Sequence, residues 1–350
     1  MSGDWRPTGS RQALRLRAQV VQTLRAFFER RGSLEVETPV IVPSPGVDAW
    51  LDAPSVTLDG HRAYLSTSPE YAMKRLLASG SGSIHQLGPA FRAGERGRLH
   101  EPQFTMLEWY EVDATDVECM DTTEALVRAA AAVGDGRLRF EREVCDASAD
   151  APPFRRVSFD EVFEDATGTS ARDPDTTRLG RLLRVSGVRS PPECTAEELV
   201  DLALGAVVQP ELGLDVPTFV TDWPTDRAGL ARIRPGKDGE PSAARFELYA
   251  CGVELCNGYH ELADPVEQRA RIDAENDRRA AAGKDRYPVD EQFLAALASG
   301  LPDCAGNALG VDRLVMLIGG LKTLLQARSF AVRTADDAVP ARIDNPGGSS

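Results

Sequence analysis

The residues able to do chemistry fall into groups of opposite sign. In FRAGERGRLHEPQFTMLEWYE, residues 91–111, Arg92, Arg96, Arg98 and His100 come first and Glu108, Tyr110 and Glu111 follow. Arg92 offers a planar fork of donors suited to phosphate or carboxylate, and the later cations can gather further negative charge from a loop. In FELYACGVELCNG, Glu247 and Glu254 suit Mg²⁺ held against phosphates, because Mg²⁺ takes a few carboxylates and completes its shell with substrate oxygens. In GNALGVDRL, Gly310 permits a close backbone approach. Arg313 starts a helix where the macrodipole disfavours a cation, so it asks for an anionic partner. Glu70, Glu108 and Glu261, with Asn257 and Tyr110, form an acidic set that, if it converges, suits a substrate bearing two ammonium groups. Taken singly, each feature has a plainer reading as a solvated hairpin tip or a surface glutamate.

The elements that must position these groups are legible in outline. Ser10 can cap a helix to about Arg31, with Leu16, Val20, Leu24 and Phe27 on one face and Gly32 as its stop. A short strand in LEVETP ends at Pro39, and loops run through residues 42–60. SPEYAMKRLLASG reads as a helix with Pro69 at its first position and Gly80 beyond its end. Residues 84–92 and 104–113 read as strands joined by the polar loop, and a helix is expected over about 118–133, then a linker at CDASADAPPF. Capping boxes, Ser158 with Glu161 and Thr195 with Glu198, start two helices, and residues 170–212 read as a small helical insertion.

PTFVTDWP reads as a buried strand, and ARFELYACGVELCNGYHEL as two strands around a Gly252 turn. Asp264, Pro265 and Gly283 bound a further helix, and GNALGVDRLVMLIGG reads as a glycine-rich turn into an apolar helix. A tail over residues 333–350 reads as disordered. Hairpin-linked strands favour an α+β fold with an antiparallel sheet flanked by helices. There is no GxxxxGK[ST] loop and no GxGxxG after a strand.

Bulk properties exclude several classes. The chain has 350 residues and a formal net charge of −14. Its pI near 4.9 argues against a broad nucleic-acid surface. Lysine occurs at 74, 237, 284 and 322, and arginine supplies the remaining cations. The six cysteines, at 119, 145, 194, 251, 256 and 304, form no CxxC pair, and reduced scattered thiols are expected. Cys251 and Cys256, five apart on a strand-like run, are expected on opposite faces of the sheet. No apolar run approaches the roughly 20 residues of a membrane helix. The start, MSGDWRPTGSRQ, lacks an apolar signal core, so the expected location is cytoplasmic.

Together these stretches resemble a known family. RGSLEVETP, FRAGERGRLHEPQFTMLEWY and GNALGVDRL look like the three ordered motifs of class II aminoacyl-tRNA synthetases, and TSPEYAMKRLL, FTMLEWY and GVELCNGYHEL are similar to the lysyl branch. The resemblance spans about residues 10–332, implying a catalytic domain there after a short extension over residues 1–9. Within the branch the chain resembles the truncated paralogues that attach (R)-β-lysine to elongation factor P. Little sequence precedes the first helix where a lysyl-tRNA synthetase has an anticodon-binding barrel, and Ala308 stands where synthetases usually have glycine.

The resemblance implies ATP and Mg²⁺ as cofactors and a homodimer, with no anticodon-dependent tRNA binding. It places Arg92 and Arg313 in catalysis and puts Arg92, Ala93, Gly94, Glu95, His100, Glu101 and Phe104 in the ATP site. Glu247, Glu254, Leu255, Gly310 and Arg313 complete that site, with Glu247 and Glu254 toward the metal. Ser68, Pro69 and Glu70 would border the substrate amine, Asn257 its carboxylate, and Ala308 the pocket floor. Glu108, Tyr110 and Glu261 would grip the side-chain ammonium. The sequence departs from the family pattern in three places: the expected Arg-x-Glu reads Arg92-Ala93-Gly94 with Glu95 one place later, Glu101 replaces asparagine and Gln103 replaces glutamate. Glu101 is expected to face adenine. The implied activity is an ATP-dependent ligase acting on lysine or (R)-β-lysine. The alternatives are lysyl transfer to tRNA or a metabolite, and a non-catalytic regulatory module.

Overall fold

The computed structural model describes residues 5–191, 194–236 and 239–332. The expected tail over residues 333–350 and the first four residues lie outside that range.

An eight-stranded sheet organises the molecule. In chain order its strands are β1 (Leu34–Glu35), β2 (Ile84–Phe91), β3 (Gln103–Val112), β4 (Arg155–Ser158), β5 (Thr218–Thr221), β6 (Arg245–Ala250), β7 (Val253–His260) and β8 (Cys304–Gly310). In space they run β1-β2-β3-β8-β7-β6-β5-β4. The six inner strands pair antiparallel, as expected, while both edge pairings, β1 with β2 and β4 with β5, are parallel.

Helices bury their apolar stripes on one face. α1 (Arg11–Arg30) begins where Ser10 Oγ accepts the Ala13 N–H at 3.1 Å, and it ends before Gly32, whose φ of +72° suits a residue without a side chain. Its Val20, Leu24, Phe27 and Phe28 share a core with Leu107 and Trp109 of β3, with α3 (Asp116–Ala131), and with α9 (Val311–Ile318). On the other face, α2 (Glu70–Ala78) packs with α8 (Glu291–Gly300) around Tyr71, Met73, Tyr110 and Phe293. α4 (Phe159–Thr167), α5 (Thr176–Val185) and α6 (Ala196–Ala203) gather a further core with Trp223 and Tyr249. Both capping boxes form, and Asp264 caps α7 (Pro265–Ala281).

Four expectations need correction. The segment from Cys304 to Gly310 is a central strand, not a turn, since its backbone pairs on both sides and Gly306 makes room for the Tyr110 ring. LEVETP shrinks to the two residues of β1. The proposed linker starts inside a strand, Glu143–Asp146, that pairs with Arg137–Phe140. Cys251 and Cys256 share one core instead of facing opposite sides, because Cys251 has left the strand for a turn with φ +53°. Residues 41–65 also contain a small sheet, in which Ile41–Val42 and Ser55–Leu58 flank His61–Leu65.

Candidate active site

Antiparallel register builds the site one lateral row at a time. Gln86, Glu108, Ala308, Asn257 and Glu247 are successive cross-strand partners from β2 to β6. One step along, Tyr110, Gly306, Tyr259 and Arg245 form the next row. Because alternate residues share a face, both rows apart from Gln86 line one cavity of about 1140 Å³ on the side of the sheet away from α1 and α3. Along β3 the lining runs Phe104, Met106, Glu108, Tyr110, which at about 3.3 Å per residue is roughly 20 Å.

The two ends of this cavity differ in charge. At the Phe104 end stand Arg92, His100 and Arg313. The Arg92 guanidinium lies 5.1 Å over the Phe104 ring, and its Nε is buried without a hydrogen-bond partner. Arg313 donates to the Glu254 carbonyl at 2.8 Å and to His100 Nε2 at 2.8 Å. His100 therefore accepts and is neutral; burial, and then Arg313, hold its pKa below the usual value. Leu255, Gly310 and Glu95 also line this end.

At the other end, Glu108 accepts the Tyr110 hydroxyl at 2.7 Å and the Ser68 hydroxyl at 2.7 Å. Ser68 Oγ also accepts the Glu70 N–H at 3.1 Å, just before α2 and next to its N-cap Pro69. Burial, then repulsion from Glu70, raises the Glu108 pKa to about 8. Glu261 follows β7; burial raises it to about 7 although Lys74 opposes the shift. Glu70 and Glu261 are not free carboxylates. Lys74 Nζ lies 2.6 Å from Glu70 and 2.5 Å from Glu261 Oε2, the latter a charge contact off the hydrogen-bonding direction of that oxygen. Ala308 lies between Glu108 and Asn257 in the lateral row.

Glu247 and Glu254 line the middle of the cavity on adjacent strands. Glu247 accepts from Arg245 and from the Tyr249 hydroxyl. Burial raises its pKa against the pull of Arg245. Among the described residues no cluster of three or more metal-ligating side chains occurs. Two carboxylates suit a Mg²⁺ ion whose other ligands are phosphate oxygens.

The cavity brings together nearly all the residues expected from sequence, with two exceptions. Ala93 and Gly94 do not line it. The Ala93 N–H is spent on the Asp52 carbonyl at 2.6 Å, and Gly94 turns the chain with φ +77°. Glu101 lines the cavity but also accepts the Val332 N–H at 3.2 Å, so part of its carboxylate serves the C-terminal segment. Sequence reading passed over Lys74, Arg245 and Gly306. Lys74 follows Glu70 by four residues on one helix, and Arg245 precedes Glu247 by two on one strand, spacings that already place each pair on one face.

Comparison with known proteins agrees with this geometry. Residues 3–334 match the family described as tRNA synthetases class II (D, K and N). The chain is 38% identical over 328 residues to the elongation factor P–(R)-β-lysine ligase of Vibrio cholerae, covering 91% of this chain and 95% of that one. The proteins of the same name from Proteus mirabilis and Salmonella gallinarum are 39% and 37% identical, covering 95% of this chain and 98% and 99% of theirs. A cavity with cations at one end and carboxylates at the other, on an antiparallel sheet matched over nearly its whole length, places this chain in the class II tRNA synthetase family, in the branch shared with the elongation factor P–(R)-β-lysine ligases.

Proposed function

We propose that the chain activates lysine or (R)-β-lysine with ATP and transfers it to a lysine side chain of elongation factor P. The observation that carries this reading is the polarity of the cavity: a half-buried arginine whose buried Nε has no partner at one end and a carboxylate cluster at the other. An amino acid with a distal ammonium fits only one way round, with its carboxylate toward Arg92.

In the first step a carboxylate oxygen of the amino acid attacks the α-phosphate of ATP, and pyrophosphate leaves. Arg92 and Arg313 offset the charge that builds on the phosphate, and His100 stays neutral beside Arg313. Glu247 and Glu254 are the residues that would hold Mg²⁺, which supplies charge neutralisation when bound. In the second step the acceptor amine attacks the adenylate carbonyl, an amide bond forms and AMP leaves. No protein nucleophile is required; alignment and charge supply the acceleration. Asn257, which accepts from Arg245 Nε at 3.2 Å and donates to the Tyr259 hydroxyl at 2.9 Å, is the residue that would meet the amino-acid carboxylate.

A homodimer belongs to this reading. It is supported by β1, a sheet edge that leaves Leu34 55% exposed, with Val40 and Ile41 exposed nearby. Light scattering tests it, and a monomer at working concentration contradicts it. Among the described residues no helix is long and apolar enough to cross a membrane. Incubating the chain with ATP, Mg²⁺, (R)-β-lysine and elongation factor P tests the activity. The mass of elongation factor P should rise by one lysyl unit on a single lysine, and an unchanged mass with either lysine isomer rejects the transfer.

A further inference from the structure

Lys74 is fully buried at the fifth position of α2, yet it carries a charge. Burial works against its ammonium, and Glu261 and Glu70 overcome that penalty, so its pKa is raised. The Phe293 ring of α8 closes over it at 6.0 Å. The Glu261 backbone carbonyl is itself fixed by Arg232 Nε at 3.1 Å. One cation therefore joins α2 to the end of β7 across the floor of the carboxylate pocket.

We propose that Lys74 is a positioning residue of the amino-acid pocket, a resident ammonium that clamps Glu70 to Glu261 and limits the pocket to one further positive charge. The proposal rests on the reading that this pocket takes the distal ammonium of the substrate. Three carboxylates, Glu70, Glu108 and Glu261, face the region, and Lys74 balances one of them. Glu108 retains its proton at neutral pH. The incoming ammonium takes the place of that proton at Glu108, so one positive charge is exchanged for another. The other groups facing Lys74 and its partners are Tyr71 on α2, Tyr110 on β3, Tyr259 on β7 and Cys304 on β8, all with burial holding their protons on, together with the Arg232 cation. Since the clamp occupies Glu70 and Glu261, the substrate ammonium is directed toward Glu108, whose hydroxyl partners Ser68 and Tyr110 orient both of its oxygens.

The test compares full-length wild type with Lys74→Met and Lys74→Arg by lysine-dependent pyrophosphate exchange from about pH 6 to about pH 9. In wild type the logarithm of the lysine KM should fall by no more than about one unit per pH unit, because one carboxyl must lose its proton. Lys74→Met leaves the buried Glu261 and the half-buried Glu70 without their cation. Its lysine KM should rise at least about tenfold at neutral pH and fall more steeply with pH, while its ATP KM stays within about twofold. Lys74→Arg, which keeps the charge, should restore the wild-type slope. A Lys74→Met variant with wild-type lysine KM and slope overturns the proposal, and so does a folded Lys74→Arg variant whose slope follows Lys74→Met.

A second measurement needs no variant. Calorimetry of lysine binding to wild type in two buffers of different ionisation enthalpy should count close to one proton released near neutral pH. Release near two, or none, overturns the proposal. Absence of amino-acid-dependent exchange in wild type would instead reject the activity on which the proposal rests.

Discussion

At the scale of single residues, the site works by deciding which charges are already spoken for. Glu261 pairs with Lys74, so its removal strands a buried cation with Glu70 alone. Breaking a buried pair in this way costs roughly 3–5 kcal/mol. Glu261→Ala should therefore lower the unfolding midpoint of the free protein as well as abolish lysine activation, which thermal unfolding and pyrophosphate exchange read separately. An unchanged midpoint would remove the Lys74 pair as a stabilising contact. Glu101 belongs at the same scale. Its Oε2 holds the Val332 N–H, and an asparagine carbonyl can accept that bond where alanine cannot. Glu101→Asn should shift the ATP KM by less than about tenfold, below 1.4 kcal/mol, and Glu101→Ala by more. A marked improvement in Glu101→Asn would place the carboxylate against the phosphates.

Elements explain what the sequence did and did not disclose. Helix ends were readable because their chemistry is local: Ser10, Ser158, Thr195 and Asp264 each accept backbone N–H groups of their own first turns. The site motifs were readable because they run along single strands or helices. Register was not readable, since it is set by partners far away in the chain. No local signal put Gly306 opposite Tyr110 and Tyr259, and so β8 looked like a turn. A Cβ at Gly306 would overlap the Tyr110 ring and Glu261 Oε1. Gly306→Ala should thus leave the fold intact but displace both groups, costing at least about a hundredfold in lysine kcat/KM, near 2.7 kcal/mol. Exchange kinetics check this, and near-normal kcat/KM would show that the strand yields at no cost to the pocket. Ala308, one row away between Glu108 and Asn257, faces the pocket instead of a neighbour's side chain. One methyl-sized change typically shifts discrimination by roughly 1–3 kcal/mol. Ala308→Gly should raise activity toward α-lysine relative to β-lysine, and an unchanged ratio would acquit that position.

For the whole molecule, the buried carboxylates couple stability to pH. Glu108 and Glu261 have folded pKa values of about 8 and about 7, both above the ordinary 4.5. Raised values mean that the folded state binds more protons than the unfolded state between those limits. Stability from these groups is full below about pH 4.5 and is lost as pH rises through about 7 to 8. The free protein should melt progressively lower across that window, and saturating lysine should recover part of the loss by supplying the missing ammonium. A midpoint that rises over the same window would contradict the raised values. The antiparallel sheet flanked by helices followed from hairpin-linked strands, but the parallel edges did not, because β4 and β5 are separated by the whole helical segment from α4 to α6.

The most direct test of the account is ATP–pyrophosphate exchange with α-lysine, (R)-β-lysine, norleucine or no amino acid. Norleucine keeps the carboxylate, the α-amine and the chain length of lysine and lacks only the distal ammonium. A cavity with Arg92 at one end and the Glu108 cluster at the other should support exchange with at least one of the two diamines and background rates with norleucine or none. Exchange with norleucine equal to that with both diamines would contradict the account, because the carboxylate end would then recognise nothing.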